Sequence, residues 1–116
     1  TVLTEMLGPE LTDMRSGDLR KALRRGDKFV ERVVEDAAEY TGIAVANVIN
    51  LLNPEVIVLG GGVMDQLADE MMAIIIETFK DYAMPGTTKG LEIRASKLGD
   101  DAGIVGAAVL ARRKTR

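Results

Sequence analysis

The 116-residue sequence contains no cysteine, no histidine and no tryptophan. Without Cys there is no disulfide framework, no thiolate nucleophile and no cysteine-ligated zinc. Without His the commonest metal ligand and the commonest general base are missing. Aromatic residues make up 3%. Phe29, Phe79, Tyr40 and Tyr82 are too few for a base-stacking platform. The net charge of −3 gives no general attraction to nucleic acid. No apolar run reaches the ~20 residues of a membrane span. Any chemistry that remains falls to a carboxylate, a hydroxyl or a glycine loop. What is present is a composition 47% hydrophobic and 28% charged, which argues for an ordered intracellular domain with an aliphatic core. The length fits one small domain or part of a larger one. A chain that opens Thr1-Val2-Leu3 reads as an internal start.

Residues 1–26 are irregular. Gly8-Pro9 and Ser16-Gly17-Asp18 are breaker clusters, with one helical turn expected around Leu11 and Met14. Asp18 to Arg25 reads as a short helix with Leu19, Ala22 and Leu23 on one face. Ser16 or Asp18 is its expected cap, and Gly26 suits its end. Arg20, Lys21, Arg24 and Arg25 read as a solvated basic face. Residues 27–53 form the longest segment. Asp27 caps a helix over Lys28–Leu52, with Val30, Val33, Val34, Ala37 and Ala38 on its apolar side. From Ile43 to Leu52 the pattern is apolar nearly all round, so cover on more than one side is expected. The helix either spans the domain or bends at Gly42. Asn53-Pro54 ends it, because proline pushes the preceding residue out of the helical region. Asn47, Asn50 and Asn53 lie near one face. They either orient a neighbouring segment by hydrogen bonds or, as Asn53 suggests, cap the helix.

Residues 54–116 read as strand, helix, strand, helix. Glu55 to Gly60 is a strand expected to be covered on both faces. Asp65 is the expected cap of a helix reaching Tyr82, with Leu67, Met71, Ile74, Ile75, Thr78 and Phe79 buried. Asp65, Asp69 and Glu70 are first-turn charges facing the helix dipole. Leu91 to Leu98 alternates as a second strand. Asp100-Asp101 caps a last helix to about Arg113, and Arg112, Arg113, Lys114 and Arg116 form a basic tail. A strand, a helix and another strand imply a right-handed crossover and parallel pairing. Two strands alone do not make a stable sheet, so further strands are expected outside this chain. In the last helix Gly103 and Gly106 each cost ~1 kcal/mol against alanine. They imply either close packing or a hinge.

Gly60-Gly61-Gly62 sits where the first strand hands over to a helix. In open α/β sheets ligands bind at the carboxyl ends of strands. Backbone N–H groups there, with the next helix's N-terminus, can meet a phosphate. The third glycine of a dinucleotide fingerprint would fall at Asp65, and no Gly-Lys-Ser/Thr follows. Two readings stand on local pattern: a tight turn without a ligand, and a ligand site.

The run from Gly42 through Asn53-Pro54-Glu55-Val56-Ile57-Val58-Leu59-Gly60-Gly61-Gly62-Val63 resembles the C-terminal part of ROK-family proteins. These are bacterial sugar kinases, such as glucokinases, and related transcriptional repressors. Leu98-Gly99-Asp100-Asp101-Ala102-Gly103-Ile104-Val105-Gly106-Ala107-Ala108 is similar to the family's closing segment. The resemblance covers the chain from about Asp18 onward. It implies an α/β fold, namely the later part of the C-terminal lobe of the actin-like, ribonuclease-H-like ATPase fold. It implies that Gly60, Gly61, Gly62 and Val63 belong to a glycine loop on the adenosine side of a nucleotide site. The Ala102–Ala108 helix would lie near the interlobe hinge. The family transfers a phosphoryl group from ATP to a sugar hydroxyl with magnesium and a catalytic aspartate. Some members use polyphosphate as donor. The family's phosphate turn, catalytic aspartate, sugar-binding segment and Cys/His zinc motif have no counterpart here and are expected upstream.

The expectation is therefore the nucleotide-side portion of a cytoplasmic glucokinase-like enzyme, inactive alone. It carries no catalytic or metal-ligating residue of its own. Its partners are the rest of the parent chain, a sugar such as glucose, and further copies in a homo-oligomer. No membrane contact and no direct nucleic-acid contact are expected of this segment. A repressor with an upstream DNA-binding domain shares the same half. A free-standing α/β interaction module is the third reading.

Overall fold

The computed structural model describes residues 1–115, so Arg116 of the basic tail lies outside the described residues. In chain order the elements are α1 (Val2–Leu7), α2 (Ser16–Arg24), α3 (Lys28–Leu52), β1 (Val56–Leu59), α4 (Gly62–Tyr82), β2 (Glu92–Ala95) and α5 (Ala102–Lys114). A 3₁₀ turn at Gly99–Asp101 leads into α5. The first helix precedes the expected one: Leu11 has φ 50° and stands in a turn. Its pattern resembles a helical turn, but the helix forms at Val2–Leu7 instead.

The helix α3 begins at Asp27, as its sequence predicts. The Asp27 carboxylate accepts the N–H groups of Phe29 and Val30 at 3.1 and 3.2 Å. It also accepts the Val2 N–H at 2.7 Å, which fastens α1 to the start of α3. Burial pushes this carboxyl pKa up, but the backbone donors of Val30, Val2, Phe29 and Leu3 outweigh it, leaving the pKa below its ordinary value. At the other end Asn53 adopts φ 45°, ψ 55°, a left-handed C-cap, and its N–H donates to Ile49 O. The helix runs unbroken for 25 residues, about 37 Å at ~1.5 Å each. Gly42 is not a bend but a contact point. A Cβ there would stand 2.6 Å from Thr78 Cβ and 2.9 Å from Ile75 O. Glycine therefore lets α3 lie directly on α4.

That contact is the core. Val30, Val34, Ala38, Val45, Ala46 and Ile49 of α3 meet Met64, Leu67, Met71, Ile75 and Phe79 of α4 within one buried cluster. Ala22 of α2 and Leu3 of α1 close one end. Each fully buried Leu, Ile or Val contributes ~1.5–3 kcal/mol relative to exposure. Asn50 ties the far end: its amide donates to Tyr82 O at 3.1 Å, and its carbonyl accepts the Met84 N–H at 2.8 Å.

The strands β1 and β2 are parallel, with Val56 opposite Glu92 and Leu59 opposite Ala95. Ile57, Leu59, Ile93 and Ala95 turn toward the core cluster. The other face does not follow expectation. Val56 is 47% and Val58 61% exposed, so within this chain β1 is covered on one face only. The C-terminal half of α3 is likewise covered on one side, with Leu51 82% exposed. In α5 no residue is buried, and Cβ atoms at Gly103 or Gly106 would meet open space. The close packing those glycines imply is not made within residues 1–115. Asp101 makes no side-chain cap bond to α5 either. The radius of gyration is 17.1 Å, against about 13 Å for a compact chain of this length. The molecule is a slab 51 × 42 × 19 Å.

Candidate functional site

The carboxyl ends of both strands open on one edge of the slab. Leaving β1, Gly60 passes beside β2's exit: a Cβ there would sit 3.4 Å from Ser96 Cβ. The Ser96 N–H donates to Leu59 O at 2.7 Å and holds the two exits together. Gly61 follows with φ 103° and ψ 167°, a conformation only glycine adopts readily. Its open side meets nothing within 4 Å. Gly62 begins α4, with Gly61 as the cap residue, four residues before the expected cap Asp65. Positive φ at Gly61 turns the chain into the helix without any capping side chain, so the acidic residue is not needed to start it. Asp65 instead lies in the first turn, beside Gly99. Val63 stands exposed on the outside of the same turn. The first N–H groups of α4, in the short stretch before a kink at Leu67 (φ −123°, ψ 15°), thus border an uncovered glycine loop.

A second segment reaches this edge, with no signal in the residue pattern. A Cβ at Gly62 would lie 3.8 Å from Ser16 Oγ, and one at Gly17 the same distance from Gln66 Oε1. The first turn of α2 therefore flanks the first turn of α4. Asp18 fixes that turn by accepting the Arg15 N–H at 3.1 Å. The Arg15 backbone bond lowers the Asp18 carboxyl pKa; burial opposes it and the Lys21 ammonium adds to the lowering. Asp18 is thus not the cap residue itself but reaches back from the third position, while Arg15 occupies the cap.

The hollows of the molecule lie elsewhere. One of about 430 Å³ sits between α2, α3 and α4, lined by Arg24, Lys28, Glu31, Glu35 and Glu70 among others. Near it the Lys28 ammonium pairs with Glu31 at 2.6 Å. The glycine loop instead lies open, with nothing within 4 Å of a Cβ at Gly61. Among the described residues no group of three or more acidic side chains is placed to hold a metal ion.

A glycine loop leaving a parallel strand into a helix, beside a second helix start, fits a piece of the actin-like fold. The mixed fold, with its short parallel pair, is of that class. Residues 1–114 match the ROK family, and the chain belongs to it. It is 40% identical over 97 residues to the glucokinase of Halalkalibacterium halodurans, covering 84% of this chain and 29% of that protein. To the glucokinase of Thermotoga maritima it is 33% identical over 106 residues, covering 91% of this chain and 32% of that one. The chain thus spans about a third of the length of these relatives. A crystal structure of a ROK family transcriptional regulator, homologous to the Escherichia coli MLC protein, superposes with a TM-score of 0.73 at 27% identity. That match covers 91% of this chain and 26% of the regulator.

Proposed function

We propose that residues 1–116 are the nucleotide-side portion of an ATP-dependent sugar kinase with glucose as the acceptor. The observation that carries this reading is the uncovered Gly60-Gly61-Gly62 loop at the end of β1, with Gly61 at φ 103°. Glycines there leave space that a side chain would fill, so the residues fit an adenosine-bearing ligand lying against the backbone. Val63 flanks the loop as apolar surface. The two glucokinases that share this segment favour a sugar hydroxyl as acceptor. ATP is the donor in this reading, with polyphosphate the alternative donor. Magnesium would accompany the nucleotide phosphates. The catalytic aspartate, the phosphate turn and any zinc site belong to residues outside this segment. The segment alone is therefore inactive, and the working enzyme is cytoplasmic. No described helix is long and apolar enough to cross a membrane.

The test uses the full-length polypeptide that carries this segment. ATP raises its melting temperature, and Gly61→Val, which forces a side chain into the positive-φ turn, abolishes that rise. An undiminished ATP shift in Gly61→Val overturns the assignment of the loop.

A second reading is that the parent is a ROK-type repressor. The regulator structure supports it, since its corresponding segment has the same fold. A full-length protein that binds operator DNA and phosphorylates no sugar decides for that reading.

A further inference from the structure

We infer that Ser16 is a nucleotide-binding residue, forming a second wall of the site that the glycine loop opens. This rests on the reading of Gly60–Gly62 as a nucleotide loop and adds to it. Three observations converge on Ser16. Its Oγ is the nearest atom that a Cβ at Gly62 would meet, 3.8 Å away, so it stands directly across the first turn of α4. Its hydroxyl is half-buried and makes no hydrogen bond among the described residues, which leaves a donor and an acceptor free. Its position is fixed from below, since Asp18 holds the Arg15 N–H and Gly17 packs beside Gln66 without a side chain of its own.

The two walls differ chemically. The wall at Gly60–Gly62 presents only backbone, and backbone suits the shape of a ligand rather than its identity. The α2 wall presents a hydroxyl at Ser16 with the Gln66 amide close by. A hydroxyl and an amide suit the neutral polar edges of a nucleoside, its ribose hydroxyls and base. Either group can also donate to a phosphate oxygen, so inorganic tripolyphosphate is the probe that separates the two kinds of donor.

Full-length protein is tested with Ser16→Val, which replaces the hydroxyl by two methyl groups, and with Ser16→Thr, which has the same branched shape and keeps a hydroxyl. One lost neutral hydrogen bond weakens binding about five- to tenfold. Ser16→Val is expected to raise the KM for ATP by that factor and leave the KM for the sugar unchanged. Affinity for inorganic tripolyphosphate stays the same, and Ser16→Thr recovers most of the ATP affinity. An unchanged ATP KM in Ser16→Val, with Gly61→Val still defective, overturns the role of Ser16 and leaves the loop standing. Equal weakening toward ATP and tripolyphosphate overturns the assignment to the nucleoside. Full ATP affinity in Gly61→Val removes the loop reading and this one with it.

Discussion

Asp27 draws together three backbone N–H groups from two helices and is only 6% exposed. Its folded pKa lies below the ordinary 3.8, so its stabilising contribution is complete above that value. The contribution disappears as the pH falls through the lower folded value. Asp27→Asn is therefore expected to melt several degrees below the wild type at neutral pH. That gap narrows in melts followed by circular dichroism as the pH is lowered from 3.8 through the depressed folded pKa, where the wild-type carboxylate becomes protonated too. A gap independent of pH would show that the carboxylate charge is not what holds α1 to α3. Asp27 was legible in the sequence because a cap is a local device: an acidic residue placed directly before an apolar period. Ser16 was legible only as a cap for its own helix. Its closeness to Gly62 depends on how α2 lies against α4, which no spacing along the chain encodes.

At the scale of elements, α3 and α4 form one unit, and Asn50 fastens its open end. Asn50→Ala removes both bonds to the 82–84 segment. The expected cost is about 1–2 kcal/mol in denaturant titration, with faster amide exchange at Met84 and little change at Ile75. Exchange rising equally at both sites would mean that Asn50 supports the whole unit rather than its end. The length of α3, its Asn-Pro stop and the parallel crossover were all readable, because each follows from residues adjacent in sequence. The start of α4 was not. Asp65 carries the usual sign of a cap, while the actual start at Gly61 uses a backbone angle that leaves no side-chain signature. Apolar periodicity likewise locates a face without saying what covers it. Val33 and Leu51 fit the pattern of core residues, yet both are exposed in this chain.

The molecule as a whole is flatter than its length predicts, and its uncovered surfaces are apolar. Val56 and Val58 of β1 and Ile104 and Leu110 of α5 all face outward. Such surfaces mark contacts with other protein, whether further parts of a parent chain or another copy. A free strand edge adds unpaired backbone groups to that tendency. The isolated chain is therefore expected to self-associate in the micromolar range by light scattering. Val58→Lys, which places a charge on the open face of β1, shifts it toward monomer. A wild type that stays monomeric at all concentrations would remove this expectation. The register of β1 also has a consequence in time. Glu92 lies 36 positions after its partner Val56 (92 minus 56). At ~5–20 residues per second, a ribosome needs roughly 2–7 s to cover that distance. Throughout that interval the nascent chain carries Val56-Ile57-Val58-Leu59 complete but unpaired, while the helix that will bring its partner alongside is still being made.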